Sequence, residues 1–325
     1  MTPSRFLMTL GERLRGGPAV LATVTNCAGS TPREVGTQMA CGRDWLLGTV
    51  GGGALESRVI DAARAEIGSN HPVDVEIDLR GTLAEKKDGI CGGTMRVRLD
   101  PLEEDAIASI EEATSALAAG KSVQQHFPDG CGWQLKTLES PISAHQDDPW
   151  IIAPDPVLLI VGAGHCGVAL AHAADPLGFR IMLQDDRQDI APESELPAHT
   201  IRSQMTVEHT LDQSDWRGPL YVALVTRSYQ HDVEAILQLA ESPPIYVGLM
   251  GSRRRVGQVK KLLRERGVSE EFLAQIDAPI GIDLPAETPE EIAISICARL
   301  IQVRRANLQH NPAVDSEETV AWVSE

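Results

Sequence analysis

The clearest pattern of hydrophobic and polar positions in the sequence lies at Val157–Arg187. Val157–Val161 are consecutive apolar residues, which predicts a strand that is covered on both faces. A GxGxxG motif (residues 162–167) follows at once, and then come a helical stretch and a second apolar strand at Ile181–Leu183. Strand, glycine turn, helix and strand in this order predict the βαβ unit that opens a nucleotide-binding sheet.

Two further apolar segments extend this pattern. Leu220–Val225 and Ile245–Leu249 predict strands, and each is followed by a helical stretch. After a predicted loop at Asp277–Asp283, the sequence Thr-Pro-Glu-Glu (288–291) predicts a last long helix with a capping box and a proline at its first position. Residues 157–325 are therefore predicted to form a Rossmann-like domain with a doubly wound parallel sheet.

Residues 1–138 predict shorter elements in an α+β domain. One helix is predicted at residues 4–15, with Ser4 as its N-cap, and another at 103–119. The apolar face of the first helix comprises Phe6, Leu7, Leu10 and Leu14. Strands are predicted at 20–24, 38–40, 45–47, 73–79, 95–99, 123–127 and 133–138. Residues 139–156, with four prolines and mixed charge, are predicted to be a linker.

The composition limits the kinds of partner. With 46 acidic and 29 basic residues the net charge is −17, which opposes general binding to nucleic acid or to anionic membranes. Because no apolar run is long enough for a signal peptide or a membrane span, we expect a cytoplasmic protein. The cysteines form no CxxC pair, so the sequence predicts neither a zinc site nor a disulfide framework.

The glycine turn of the second domain is the first candidate site. Gly162 permits a tight turn, Gly164 lets the backbone approach a phosphate, and Gly167 lets the helix pack against the strand. The helix that follows presents unpaired N–H groups and the positive end of its dipole. A doubly wound domain whose glycine turn binds no dinucleotide is the alternative, because the fold alone does not decide function.

Polar residues at the ends of the next strands are further candidates. The second strand ends in Asp185 and Asp186, about 20 residues beyond the glycines, and Asp185 is our candidate for a ribose hydroxyl. The adjacent Arg187 leaves open whether the ribose carries a 2′-phosphate. Candidates that follow the third and fourth strands are Thr226, Ser252, Arg253 and Arg254.

The first domain contains a second glycine turn before a helical pattern. Gly51, Gly52 and Gly53 are candidates for anion binding, because consecutive glycines suit a backbone that must approach a ligand or another backbone closely. Glu56 lies in the first turn of the predicted helix, where the helix dipole favours a carboxylate in any case. A tight packing turn without a ligand is the alternative interpretation.

Cys91 stands in another glycine-flanked turn, beside Gly92 and Gly93. Backbone N–H groups in such a turn lower the pKa of a thiol, which would make Cys91 a metal ligand or a sulfur acceptor. An inert buried thiol is the alternative. We include Cys91, Gly92 and Gly93 among the candidate cofactor-binding residues, with Cys91 as the candidate metal ligand.

With these segments in view, the chain resembles the XdhC/CoxI family, whose members are accessory proteins that mature molybdenum hydroxylases such as xanthine dehydrogenase. The resemblance covers both domains and rests on the motifs GSTPRE (29–34), GTVGGGALE (48–56), GICGG with the next strand and Asp-Pro (89–101), VGAGHCG (161–167), YVGLMGSRRR (246–255) and PIGIDLPAETPEEIAISI (279–296). The chain departs from the family at Arg227 and Asp277, where histidine is common.

The resemblance implies a cofactor-binding maturation chaperone and leaves open whether it is also an enzyme. Such a protein binds the molybdenum cofactor, as molybdopterin or its nucleotide form, and protects it while a cysteine desulfurase installs a terminal sulfur. It then delivers the cofactor to a molybdenum hydroxylase apoenzyme. We expect a homodimer with the ligand between the two domains. The alternatives are an NAD(P)-dependent oxidoreductase, for which no catalytic pair is evident from spacing, and a nucleotide-sensing regulatory module.

Overall fold

The computed structural model of the protein describes residues 1–79, 92–128, 132–138, 148–187, 191–214 and 217–309. The chain divides into two units. Within the described ranges, the first unit contains residues 1–138 and 148–155, and the second begins at residue 156.

The first unit is built on antiparallel sheets. Its elements are α1 (Pro3–Leu14), β1 (Ala19–Ala28), β2 (Gln38–Cys41), β3 (Leu46–Gly48), α2 (Gly53–Ala65), β4 (Val73–Asp78), β5 (Thr94–Leu102), α3 (Ala106–Ala118), β6 (Ser122–His126), β7 (Gln134–Leu138) and β8 (Ile151–Ile152). One sheet has the strand order β3-β2-β1-β5-β4, and the other has the order β7-β6-β8. The order of helices and strands agrees with the predicted α+β domain.

Both faces of the central strand β1 are covered, because successive side chains point to opposite sides of the sheet. Leu21 packs in the cluster formed with α1 and α3, whereas Val20 and Val24 pack in the cluster formed with α2. The predicted apolar face of the first helix is buried as expected, with Leu7 and Leu10 fully inaccessible to solvent.

Two details of the first unit differ from the predictions. The N-cap of α1 is Thr2 and not Ser4, since Pro3 takes the first helical position that suits proline. The Ser4 hydroxyl instead hydrogen-bonds the buried Asp155 carboxylate. Ile152 pairs with Val123 of β6. The described residues 148–155, which were predicted to be part of a linker, therefore belong to the first unit.

The second unit contains the predicted parallel sheet. Its elements are β9 (Val157–Val161), α4 (His165–Ala174), β10 (Arg180–Gln184), β11 (Ile201–Ser203), α5 (Val207–Asp212), β12 (Leu220–Leu224), α6 (Tyr229–Ala240), β13 (Tyr246–Leu249), α7 (Arg253–Glu265), α8 (Glu270–Gln275), β14 (Ile276–Asp277) and α9 (Pro289–Gln309). The strand order is β11-β10-β9-β12-β13-β14. Counted from β9 this is the 3-2-1-4-5-6 order of a Rossmann fold, so the predicted fold class is confirmed.

Helices cover both faces of this sheet. Leu158 and Ile160 pack in the cluster formed with α4 and α9, and Leu159 packs in the cluster formed with α6, α7 and α8. This is why the residues of β9 are apolar without interruption. The predicted capping box is present at the start of α9, where the Glu291 amide donates to Thr288 Oγ1 at 3.2 Å and the Thr288 amide donates to Glu291 Oε2 at 3.0 Å.

The segment predicted to be a loop at Asp277–Asp283 begins inside a strand, because Ile276 and Asp277 pair in parallel with β13. A strand of two residues has no measurable hydrophobic period, which explains why the sequence did not predict it. Among the helices that the structure describes, none has the length and apolar character needed to cross a bilayer.

Candidate functional site

The candidate site is a crevice at the carboxyl ends of β9, β10 and β12. From β9 the chain continues to β10 on one side, and the later strand β12 pairs with β9 on the other. Such a switch point in a parallel sheet is where ligands bind in open α/β folds. A cavity of about 630 Å³ lies here. We call it the strand-end cavity.

The glycines of the turn after β9 have different surroundings. Gly162 has a φ of +114°, and a Cβ built on it would lie 2.9 Å from the Val225 carbonyl oxygen. A Cβ on Gly167 would lie 1.9 Å from the Gly162 carbonyl oxygen. A Cβ on Gly164 would meet no described atom within 4 Å beyond its chain neighbours. Gly162 and Gly167 are therefore required by packing, whereas Gly164 faces open space in the cavity.

Helix α4 begins directly at this open space. Gly164 is its N-cap and supplies no side-chain hydrogen bond, and the first helical bond runs from the Val168 amide to the Gly164 carbonyl. The amides of residues 165–167 precede that bond and have no partner within the helix. His165 and Cys166 both line the cavity. The positive end of the helix dipole is thus directed at the cavity, as anion binding requires.

Asp185, the candidate for a ribose hydroxyl, makes hydrogen bonds within the protein. Its Oδ2 accepts from the Ala163 amide at 2.7 Å and from Arg187 Nη2 at 2.6 Å, and its Oδ1 accepts from Arg187 Nε at 2.8 Å and from the Arg187 amide at 3.1 Å. Burial by itself would raise the pKa of this carboxyl, but the hydrogen bonds from Arg187 and Ala163 lower it below its ordinary value. Asp185 therefore joins β10 to the glycine turn as an ionised group.

Asp186 lies at the same strand end but is open to the cavity. Its Oδ2 lies 3.4 Å from Nε2 of His231 on α6, and the two side chains are 55% and 44% exposed. Both residues line the strand-end cavity. Since β10 and β12 flank β9, this pair lies above the carboxyl end of β9 and the glycine turn.

The candidate Thr226 belongs to a buried polar network. Its hydroxyl donates to Asp232 Oδ1 at 2.7 Å and accepts from Arg255 Nη2 at 2.9 Å and from the Ser228 amide at 3.2 Å. Arg255 Nη2 also contacts Asp232 Oδ2 at 2.5 Å. Burial raises the pKa of the Asp232 carboxyl, and the bonds from Thr226 and Arg255 offset part of that rise. The network holds the loop after β12 against α6 and α7.

The candidates at the start of α7 lie outside the cavity lining. Ser252 is the N-cap of α7, and its Oγ accepts from the Arg255 amide at 3.3 Å. Arg253 and Arg254 are exposed, and neither is among the described residues that line the strand-end cavity. The arginine that lines it after β12 is Arg227, which sequence analysis noted only as a departure from the family pattern.

A second cavity of about 710 Å³ adjoins the first along α4 and α9. We call it the α4–α9 cavity. Both cavities are lined by Gly164, His165, Arg187 and Arg227. The rest of the α4–α9 cavity wall is mainly aliphatic, with Val168, Ala169, Ala173, Ala191 and Ile294, and also contains His172, Glu195 and Glu290.

Cys166, on the helix that begins at the glycine turn, lines the strand-end cavity. Burial raises the pKa of its thiol, Glu290 adds to the rise, and Arg227 opposes it. The thiol is therefore held in its protonated form near neutral pH. Its place inside the GxGxxG motif, between Gly164 and Gly167, was the feature of the sequence that could have indicated this location.

The glycine-rich segments of the first unit meet at one end of its larger sheet. A Cβ built on Gly29 would lie 3.1 Å from the Gly93 Cα, and a Cβ on Gly51 would lie 3.4 Å from Pro32 Cγ. The loop at residues 29–34 thus contacts both of the other glycine segments. Gly92 is exposed, and a Cβ on it would meet no described atom within 4 Å beyond its chain neighbours.

The remaining candidates of this unit lie at the start of α2. Gly52 is the N-cap of α2, and Gly53 adopts a φ of +63°. Glu56 hydrogen-bonds the Thr49 hydroxyl, which also receives a bond from the Gly51 amide at 3.2 Å. Glu56 therefore fixes the shape of the turn before the helix. Cys91 lies outside the described residues, so its role as a metal ligand stays a prediction. No group of metal-ligating side chains occurs within the described part of the chain.

Asp277, the second departure from the family pattern, is paired within the fold. Its Oδ2 accepts from Tyr246 Oη at 2.9 Å and from Arg299 Nε at 2.8 Å. Burial raises the pKa of the Tyr246 hydroxyl, and the Asp277 carboxylate raises it further. The acid therefore connects β13, β14 and α9.

The fold and the crevice define an α/β protein with a Rossmann unit that follows an antiparallel α+β unit. Sequence comparison gives the same division: residues 158–300 match the family model of the XdhC Rossmann domain, and residues 13–78 match that of the XdhC and CoxI family. The chain belongs to the XdhC and CoxI family, and the resemblance inferred from its motifs is confirmed.

The chain is also similar to individual proteins. The chain is 30% identical over 288 residues to the uncharacterized protein YqeB of Escherichia coli, covering 88% of this chain and 44% of that protein's length. It is 26% identical over 315 residues to a probable xanthine dehydrogenase subunit of Bacillus subtilis, covering 88% and 93%. A crystal structure from Bacillus halodurans, described as a xanthine dehydrogenase, matches the fold with a TM-score of 0.74 at 24% identity, over 94% of this chain and 96% of that one.

Proposed function

We propose that the protein is an accessory factor for a molybdenum hydroxylase of the xanthine dehydrogenase type. In this proposal it binds the molybdenum cofactor, holds it while a cysteine desulfurase adds a terminal sulfur, and delivers it to the apoenzyme. Membership of the XdhC and CoxI family supports the role. The Bacillus subtilis relative, whose name is that of a probable xanthine dehydrogenase component, supports the kind of partner.

The observation that carries the proposal is the open space at Gly164. Molybdopterin is an anionic pterin dithiolene with a phosphate group, so a protein that binds it needs a site for a phosphate next to room for a ring system. Gly164 leaves that space at the N-terminus of α4, beside a cavity of about 630 Å³. The amides of residues 165 and 166 would donate to the phosphate, and Arg227 would supply positive charge in a chain of net charge −17.

The described residues fit the phosphate and the rings of the cofactor. Because the Gly162 amide donates to the Gln184 carbonyl and the Ala163 amide to Asp185, the turn offers its donors to a ligand from Gly164 onward. When bound, the cofactor would contribute the molybdenum atom, with its sulfur ligands, that the hydroxylase later uses. The contribution of this chain would be to hold the phosphate, enclose the rings and keep water from the metal centre.

The test is to purify the protein from cells that make the molybdenum cofactor and to identify the small molecule that accompanies it by mass spectrometry. A pterin in near-stoichiometric amount is the expected result, and the same protein from cells unable to make molybdopterin is the control. A nicotinamide in place of the pterin would replace the proposal with an NAD(P)-dependent oxidoreductase, which the strand order also suits. A simple nucleotide would contradict the proposal and favour a nucleotide-sensing module.

A further inference from the structure

We propose that Asp186, and not Asp185, recognises a ribose in the strand-end cavity, so that the ligand is a nucleotide with a free 2′-hydroxyl. The proposal rests on the function proposed above, because it takes the other half of the ligand to be molybdopterin. It goes further by naming the dinucleotide form of the cofactor as the ligand. It concerns the second of the two acids that lie at the motif spacing, which was not our candidate in the sequence.

Asp185 is unsuited to this role because its acceptor positions are filled. A carboxylate offers about four lone-pair sites. Asp185 receives four hydrogen bonds, one from the Ala163 amide and three from Arg187. A ribose hydroxyl would have to displace one of these charge-assisted bonds.

Asp186 occupies the next position and has the opposite environment. Its side chain is 55% exposed, lines the strand-end cavity and lies at the carboxyl end of β10, where ribose hydroxyls are bound in sheets of this order. Its described neighbour is His231, at 3.4 Å. A ribose hydroxyl can therefore donate to Asp186 without loss of a buried bond.

The two adjoining cavities favour a ligand with two bulky halves. They meet at Gly164, His165, Arg187 and Arg227, beside the N-terminus of α4. A diphosphate bound at that point would leave room for one ring system in each cavity. The strand-end cavity is lined by Gln204 and Gln238. The Gln204 amide donates one hydrogen bond to the Arg187 carbonyl and the Gln238 amide accepts one from the Glu208 amide, and each side chain has further donor and acceptor positions for a base. The wall of the α4–α9 cavity is mainly aliphatic and also contains Glu195 and Glu290.

The charges near Asp186 disfavour a 2′-phosphate. The Asp186 carboxylate would repel it, and the Arg187 guanidinium already binds Asp185 through Nε and Nη2. A 2′-hydroxyl, in contrast, donates to a carboxylate. The bonding of Asp185, Asp186 and Arg187 therefore favours a ribose with a free 2′-hydroxyl over one with a 2′-phosphate.

The test uses calorimetric titration of the full chain with cytidine, adenosine and guanosine diphosphates and with their 2′-deoxy counterparts. A hydrogen bond to a charged group is worth about 1.5–3 kcal/mol, so the preferred ribonucleotide should bind roughly 10- to 100-fold more tightly than its deoxy form. Asp186→Asn should reduce this ratio to below about 3-fold, because the charged acceptor is lost. The exposed Asp283→Asn is the matched control and should keep the ratio.

The remaining outcomes separate this inference from the proposed function. An unchanged ratio in Asp186→Asn, or loss of the ratio in Asp185→Asn with retained folding, would overturn the assignment. Failure of every nucleoside diphosphate to bind, while the protein still co-purifies with molybdopterin, would overturn the inference and leave the proposed function intact. If nucleotides bind with the predicted ratio but no pterin co-purifies with the protein from cells, the inference would be supported and the proposed function would be contradicted.

Discussion

The main-chain amide of Ala163 donates a 2.7 Å hydrogen bond to Oδ2 of Asp185. This bond connects the glycine turn after β9 to the end of β10, and Arg187 neutralises the carboxylate from the other side. The acid that motif spacing assigns to the ligand is thus used to shape the turn that the ligand would contact. The amides that remain for a phosphate are those at the start of α4.

We expect Asp185→Asn to destabilise the protein in a pH-dependent manner. The pKa of Asp185 is lowered in the folded state, so its stabilising effect is complete above the ordinary pKa of about 3.9 and is lost as the pH falls through the lowered value. The difference in free energy of unfolding between wild type and variant should therefore shrink as the pH falls from about 4 through the lowered pKa. Urea unfolding across this range measures it, and a difference independent of pH would contradict the assignment.

Removal of Arg255 should cause one of the larger losses of stability in the second unit. The Asp232 carboxylate has 0% exposure, and Arg255 contacts it at 2.5 Å. Breaking a buried ion pair from one side costs roughly 3–5 kcal/mol. We expect a loss of this size for Arg255→Ala in urea unfolding. The neighbouring, exposed Arg254→Ala should change stability by less than about 0.5 kcal/mol. Equal effects of the two variants would show that the network contributes little.

The fold could be predicted from the sequence because its elements carry strong local patterns. The uninterrupted apolar residues of β9 and the GxGxxG motif predicted a Rossmann unit, and the capping box at Thr288 and Glu291 predicted the start of α9. Short elements without a period, such as β8 and β14, were missed. Their positions depend on pairing with distant strands, which a local pattern does not encode.

The site was predicted less completely, for a different physical reason. Gly162, Gly164 and Gly167 were located by spacing, but only the structure distinguishes the open surroundings of Gly164 from the packed surroundings of the other two. Spacing also cannot tell which polar groups are already hydrogen-bonded within the protein. All four of these residues line the cavity, but Thr226 and Asp185 are buried and so bonded, whereas Asp186 and Arg227 are exposed there.

Neutralising Arg227 should weaken ligand binding and reduce its dependence on salt. Arg227 lines both cavities, and charge-assisted binding of an anion is screened by added ions. We expect Arg227→Gln to lower the affinity for molybdopterin roughly 10-fold at low salt, in line with the strength of a hydrogen bond to a charged group, and to flatten its salt dependence. Arg253→Gln and Arg254→Gln, which we first expected to act in this way, are now the exposed controls. Loss of affinity in a control but not in Arg227→Gln would contradict this placement.

Cys91→Ser should lower the amount of cofactor that the protein retains and the activity of a co-expressed hydroxylase. A hydroxyl is a poor substitute for a soft thiolate as a molybdenum or sulfur ligand. Cys297→Ser is the control, because burial raises the pKa of that thiol to about 12 and it lies in the core. Cys166→Ser decides between the two candidate thiols, since Cys166 lines the strand-end cavity. Full hydroxylase activity with Cys91→Ser and its loss with Cys166→Ser would assign the chemistry to Cys166.

The most direct test of the central claim is the amount of pterin bound per chain in Gly164→Val. A side chain at this N-cap would fill the space left for a phosphate, while replacing the cap residue itself costs about 1 kcal/mol or less. Gly257→Val introduces the same side chain at an exposed position of α7 where no described neighbour lies within 4 Å. We expect the folded Gly164→Val protein to lose at least about nine-tenths of its pterin, because a roughly 100-fold weakening, about 2.8 kcal/mol, would empty a nearly filled site to that extent, and Gly257→Val to retain it. Equal pterin content in both variants would contradict the placement of the cofactor at the N-terminus of α4.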